Sequence, residues 1–148
     1  MERIKNEGIL RKRIEDIEDY QKQSEKLQKI EIVVLKPELE DLQTISTIYD
    51  WVKELCHKKD EINNSRYAEK YYFLMVAALL YSPRIFAGYF FERGKRDAIA
   101  EVLQLSPSHI SNSLKSVCSW YKFYRDFQVS LDYLYSEILL RIELNGLK

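Results

Sequence analysis

The first thirty or so residues mix charged and apolar positions at a spacing of three and four and contain no proline. Leu10, Ile14, Ile17, Gln21, Ser24 and Gln28 fall on one seam, and Ile17, Tyr20, Ser24 and Leu27 on a second. Both have the period of a helix, and both are interrupted by polar residues. Two readings follow: a solvated amphipathic helix lying on its own domain, or a coiled-coil arm that joins two chains. The pattern changes at Ile30, where Ile30, Ile32, Val33, Val34 and Leu35 make a short, mostly β-branched run closed by Pro37. Such a run reads as one strand or an extended linker, and a lone strand has no sheet to join. It is therefore expected as a hinge, dividing a helical arm (1–36) from a helical body (37–148).

In the body, Pro37 suits the first turn of a helix. Leu39, Leu42, Ile45, Ile48, Tyr49, Val52 and Leu55 then recur at helical spacing to about Cys56. The segment CHKKDEINNSRY is a polar connector, with Asn63, Asn64 and Ser65 as candidate caps for the next helix. That helix, from Arg66 to about Ser82, is apolar nearly all round, which predicts the centre of the core. Pro83 ends it, and RIFAGYFFERG reads as a short helix stopped by Gly94. Two helices around Ile99 and Ile110 follow. From Val117 through Trp120, Tyr121, Tyr124, Phe127, Leu131, Leu134, Ile138 and Ile142 no breaker intervenes before Asn145-Gly146. The second helix of the pair is thus expected to run on as one long C-terminal helix. The fold class is all-α: a multi-helix bundle with an N-terminal helical arm and a long C-terminal helix.

Only four Gly and three Pro punctuate 148 residues, which agrees with long helices. The N-terminus has no apolar signal core, and the longest apolar run, Tyr71 to Tyr81, is about half of the roughly 20 residues a membrane span needs. Cys56 and Cys118 stand in no metal or redox spacing, so a reducing cytoplasm is expected, with no disulfide, no metal and no cofactor. The adjacent pair Cys56-His57 lacks a third ligand at helical spacing and would point apart on a helix. No phosphate-cradling glycine loop or activated serine motif is present, and the chain reads as a non-enzyme.

The most informative stretch is KRDAIAEVLQLSPSHISNSLKSV, from Lys95 to Val117. Ile99 and Leu103 share a face, and Ala100 is small where a second helix would cross closely. Leu105 would plug the turn. Ser106 is a good N-cap, and Pro107 stands at the first helical position, where its missing N–H costs nothing. Ile110, Leu114 and Val117 return one stripe to the core. The opposite face carries Ser108, His109, Asn112, Lys115 and Ser116, which can hydrogen-bond base edges or phosphates without blocking entry into a major groove. Asp97 is placed to accept from unpaired N–H groups near the helix start.

Over about residues 84–120 the chain resembles the helix-turn-helix of sigma factor region four and of the quorum-sensing class of response-regulator output domains. The matching residues are Ile99, Ala100, Leu103, Leu105, Ser106, Ile110 and Leu114. At the turn, where those families carry glycine, this chain has Gln104, which then needs a left-handed backbone. Gly94 also lies about one residue closer to Ile99 than its sigma-factor counterpart. The resemblance implies double-stranded DNA as partner and transcription regulation as role, with Ser106 capping a recognition helix that presents Ser108, His109, Asn112, Lys115 and Ser116.

The 23 basic and 23 acidic residues cancel, which does not favour a strongly basic nucleic-acid binder. Charge is nevertheless segregated: Arg84 to Arg125 holds seven basic residues against three acidic ones. Arg93, Lys95 and Arg96, just before the first helix of the pair, are expected phosphate contacts. A single copy with about four or five such contacts would bind weakly and with strong salt dependence, so a homodimer or other homo-oligomer is expected. The aromatic run WYKFYRDF, Trp120 to Phe127, reads as a core or interface stripe rather than a base-stacking surface. The competing functional class is a non-enzymatic helical interaction or assembly protein, such as an oligomeric phage or mobile-element component.

Overall fold

A computed structural model describes residues 2–148, with side chains from Gly8 onward except that of Ile32. It is all-α. The helices are α1 (Glu2–Val34), α2 (Ile45–Lys58), α3 (Asp60–Asn63), α4 (Glu69–Tyr81), α5 (Arg93–Leu103), α6 (Pro107–Phe123) and α7 (Arg125–Leu144). No strand occurs among the described residues. Short 3-10 turns lie at Leu42–Thr44 and Pro83–Ala87. The chain divides into two compact units, Met1–Lys36 and Pro37–Lys148.

The first unit is α1 alone. Its last β-branched residues are helical, not a strand or linker. The Leu35 N–H donates to the Glu31 carbonyl at 2.9 Å, so helical hydrogen bonding persists through the Ile30–Val34 run. Pro37 sets the limit, because the residue before a proline is pushed out of helical geometry. As a single helix, α1 leaves Leu10, Ile14, Ile17, Tyr20 and Leu27 exposed.

The second unit is organised around α4. Every residue from Tyr72 to Ala78 is buried, as are Leu80 and Tyr81, so all faces of this helix are covered. Helices α2, α5, α6 and α7 each pack against it. α2 turns Ile45, Ile48, Val52 and Leu55 inward, and α7 turns in Phe127, Leu131, Leu134, Ile138 and Ile142. Each buried tyrosine hydroxyl must find a partner. Tyr81 meets Thr44 Oγ1 at 2.5 Å, and Tyr72 meets Ser65 Oγ at 3.2 Å. Burial pushes the Tyr81 phenol up to about 12, so it remains a neutral hydrogen-bonding group.

Within the second unit, local structure departs from the sequence pattern at four places. Pro37 does not open a helix. The segment to Asp41 is irregular, with a bend at Glu38; the backbone of buried Leu39 donates to the Leu80 carbonyl at 3.1 Å, and the Asp41 carboxylate caps the turn before α2. Asn63, Asn64 and Ser65 do not cap α4, whose N-cap position is Ala68. Asn63 instead closes α3 and hydrogen-bonds His57. The segment after Pro83 is a 3-10 turn closed by left-handed Gly88, and Gly94 lies in the first turn of α5 rather than ending a helix. Finally, α6 and α7 are separate: Tyr124 is extended, and the Gln128 amide donates to the carbonyls of Tyr121 and Lys122 that the break exposes. The bend lets Phe127 stack on Tyr72 at 5.0 Å while Trp120 and Tyr67 close in edgewise.

Three segment ends share one hydrogen-bond pattern, in which successive N–H groups fold back onto the last turn. Gly146 and Gly88 hold the left-handed position at two of them, and Gln104 holds it at the end of α5 with φ +57°. There the Gln104 N–H donates to Glu101 and the Leu105 N–H to Ala100, at 3.1 and 2.9 Å. A Cβ in that conformation is strained, and the Gln104 side chain is exposed. Gln104→Gly should therefore stabilise the fold by about 0.5–1 kcal/mol. Urea denaturation checks this: a midpoint that fails to rise would show that the position is unstrained.

Candidate nucleic-acid interface

The pair α5–α6 is assembled from local chemistry. After the left-handed Gln104, half-buried Leu105 fills the turn. Ser106 adopts extended geometry, and its Oγ accepts from the His109 N–H at 3.1 Å, with Pro107 opening α6. Ile99 and Ala100 of α5 are buried, as are Ile110, Leu114 and Val117 of α6, and the two helices pack on each other and on α4. Ala100 supplies the small surface that a close crossing needs.

On the opposite side of α6, Ser108, His109, Asn112, Lys115 and Ser116 are all exposed. At spacings of three and four they form one contiguous face. Among the described residues, none of these side chains finds a hydrogen-bond or ion-pair partner; the His109 backbone N–H makes the cap bond to Ser106. The face is polar, shallow and uncommitted.

The basic cluster lies within the first turn of α5 rather than before it, and it is arranged differently from the sequence expectation. Lys95 turns inward: its ammonium donates to the Tyr81 carbonyl and lies 3.3 Å from Glu92 Oε2, leaving the side chain only 14% exposed. It caps the C-terminal end of α4, where an unpaired carbonyl and the helix dipole both attract a cation. Arg96 is half-buried. Its Nε makes no hydrogen bond, and Asp97 Oδ1 lies 3.7 Å away. Arg93 is 89% exposed and approaches the other Asp97 oxygen at 3.9 Å. Asp97, the fifth residue of α5, thus serves as a counter-ion for two arginines rather than as a cap for backbone N–H groups. The positive band is interrupted by acids at Glu92 and Asp97.

A surface the sequence reading missed lies beside α6. Tyr89, Phe90, Phe91 and Ile85 line an open depression of about 420 Å³ together with Ser111, Leu114, Lys115 and Cys118. Phe90 is 97% exposed. Four aromatics within six residues, Phe86 to Phe91, around a glycine were the available signal. Reading that segment as a short helix concealed it.

The remaining candidates resolve into structure. Cys56 is buried, and burial pushes its thiol up to about 12, so it is held in the protonated form at neutral pH. His57 bridges Asn63 Oδ1 at 3.2 Å and Glu69 Oε2 at 3.3 Å, tying α2 to the connector and to α4. Trp120 packs on Tyr67, Tyr71 and Phe127, whereas Tyr124 is exposed beneath the Arg66 guanidinium at 4.7 Å. Among the described residues, no cluster of potential metal ligands occurs and no helix is long and apolar enough to cross a membrane. No family model, no curated protein and no solved structure matches this chain.

The two faces of the pair should separate in stability measurements. Lys95→Met, which leaves the Tyr81 carbonyl without its donor, should cost about 1–3 kcal/mol. Ser106→Ala should cost about 1 kcal/mol. Asn112→Ala and Lys115→Ala should stay within about 0.5 kcal/mol of the parent. Thermal and urea unfolding of the four variants checks this, and a large loss at Asn112 or Lys115 would show that the outer face of α6 is structural.

Proposed function

We propose that this chain is a helix-turn-helix DNA-binding protein, acting as a transcriptional regulator, that lays α6 in the major groove. The observation that supports the reading most is the uncommitted polar face of α6 described above. Ser108, His109, Asn112, Lys115 and Ser116 reach solvent from a helix that is rigidly capped, enters from a tight turn and is braced by a crossing helix. Recognition helices work in this way, with the inner stripe holding the helix and the outer residues meeting base edges and phosphates.

The electrostatics make a single copy a weak binder. Lys95 is withdrawn, and Asp97 competes with phosphate for Arg93 and Arg96, leaving Lys115 as the clearest phosphate contact. About two or three neutralised phosphates give a logarithmic salt dependence near −2 to −3.

Fluorescence anisotropy of a labelled random duplex, titrated at low and moderate salt, tests the proposal. Asn112→Ala/Lys115→Ala should weaken binding at least about tenfold, which is about 1.4 kcal/mol and within the range for one base contact and one phosphate contact. Asp97→Asn should tighten non-specific binding several-fold by releasing both arginines. No binding at low salt by the folded protein would sink the reading. It would move the role to assembly or protein interaction, a second reading supported by the exposed Tyr89–Phe91 segment and its depression.

A further inference from the structure

The continuous helix from Glu2 to Val34 extends a seam that the Ile30–Val34 run would otherwise have ended. Starting at Leu10 and stepping alternately by three and four, the seam runs through Arg13, Ile17, Tyr20, Ser24, Leu27, Glu31 and Val34. One flank holds Ile9, Asp16, Gln23 and Ile30, and the other Ile14, Gln21 and Gln28. Every large apolar residue from Ile9 to Ile30 thereby falls on the seam or its flanks. Every charged residue from Arg11 to Lys29 other than Arg13 and Asp16 falls on the outer side. The repeat is close to 3.5 residues, the period of a supercoiled pair rather than of a straight helix lying on a surface. The seam's apolar side chains Leu10, Ile17, Tyr20, Leu27 and Val34 are exposed.

The occupant follows from the two charged seam positions. Aligned in parallel, two copies place Arg13 against Arg13 and Glu31 against Glu31, so like charges meet near both ends. Aligned antiparallel about the midpoint of the seam, every layer is complementary. Leu10 meets Val34, Arg13 meets Glu31, Ile17 meets Leu27, and Tyr20 meets Ser24, whose small side chain leaves room for the ring. The flanks carry only Asp16 as a charge, and in this alignment it faces Ile30 and Gln23 rather than another acid. We propose that α1 is an antiparallel homodimerisation arm, with Arg13 and Glu31 of the two copies pairing at both ends of the seam to select that orientation. This pairing does not depend on DNA binding.

Sedimentation equilibrium of the full chain over a concentration series reaching about 0.2 mM tests it. The parent protein should dimerise. Arg13→Glu, which sets two carboxylates against each other at both ends of the seam, should raise the dimer Kd at least about tenfold, equivalent to about 1.4 kcal/mol. The swap Arg13→Glu/Glu31→Arg restores both opposite-charge contacts and should return Kd to within about threefold of the parent. Circular dichroism should show the same helix content in all three proteins, since Arg and Glu are both good helix formers. A mass of one chain throughout the series would overturn the proposal. So would an Arg13→Glu dimer as tight as the parent's, and a swap that fails to recover would rule out the antiparallel pairing.

Discussion

A helix that is apolar on every side has to be enclosed, and α4 imposes that requirement on the rest of the body. With Tyr72 to Ala78 buried without interruption, no single neighbouring layer suffices. α2, α5, α6 and α7 wall it in, and each is amphipathic in a way that matches the face it covers. Even the irregular pieces answer to α4. The irregular segment before α2 pairs Leu39 with the Leu80 backbone, and Lys95 reaches from α5 to the Tyr81 carbonyl at the helix end. The orientation of α5, and with it that of α6, is therefore set from the core outward.

Where local chemistry decides the conformation, the sequence is readable. Ser106-Pro107 specifies a capped helix start whatever surrounds it, and Ile110, Leu114 and Val117 fix the face that turns inward. The left-handed Gln104 is legible only through the helix-turn-helix resemblance, in which glycine holds that turn position. The features that escape are those settled by distant partners. Nothing near Tyr124 breaks a helix; the break depends on Gln128 reaching back to the carbonyls and on Tyr67, Tyr72 and Trp120 receiving Phe127. Lys95 looks like its neighbours Arg93 and Arg96, and only the location of the α4 terminus distinguishes it. The Ile30–Val34 run misleads for a related reason, since β-branching is a weak preference that a long charged helix can carry through its last turn.

Shape and charge point in different directions at the candidate interface. The outer face of α6 has the size, polarity and freedom from internal bonds that a groove-entering helix needs. The electrostatics are restrained, because Asp97 stands between two arginines and the one well-placed lysine of the cluster is occupied. Restraint of this kind lowers sequence-independent attraction more than it lowers base reading, since phosphate contacts carry most of the non-specific affinity. The exposed aromatic segment at residues 89–91 borders the same helix through Ser111, Leu114 and Lys115, so a protein partner there would sit against the flank of α6.

The division of labour within α6 has a consequence for how such a chain can diversify. Ile110, Leu114 and Val117 bear the folding constraint, while the outer residues Ser108, His109, Asn112, Lys115 and Ser116 are exposed. Exchanging one polar residue for another on that outer side changes the chemistry of the surface and leaves the packed stripe as it was. The character of that face can then drift one position at a time at little cost in stability.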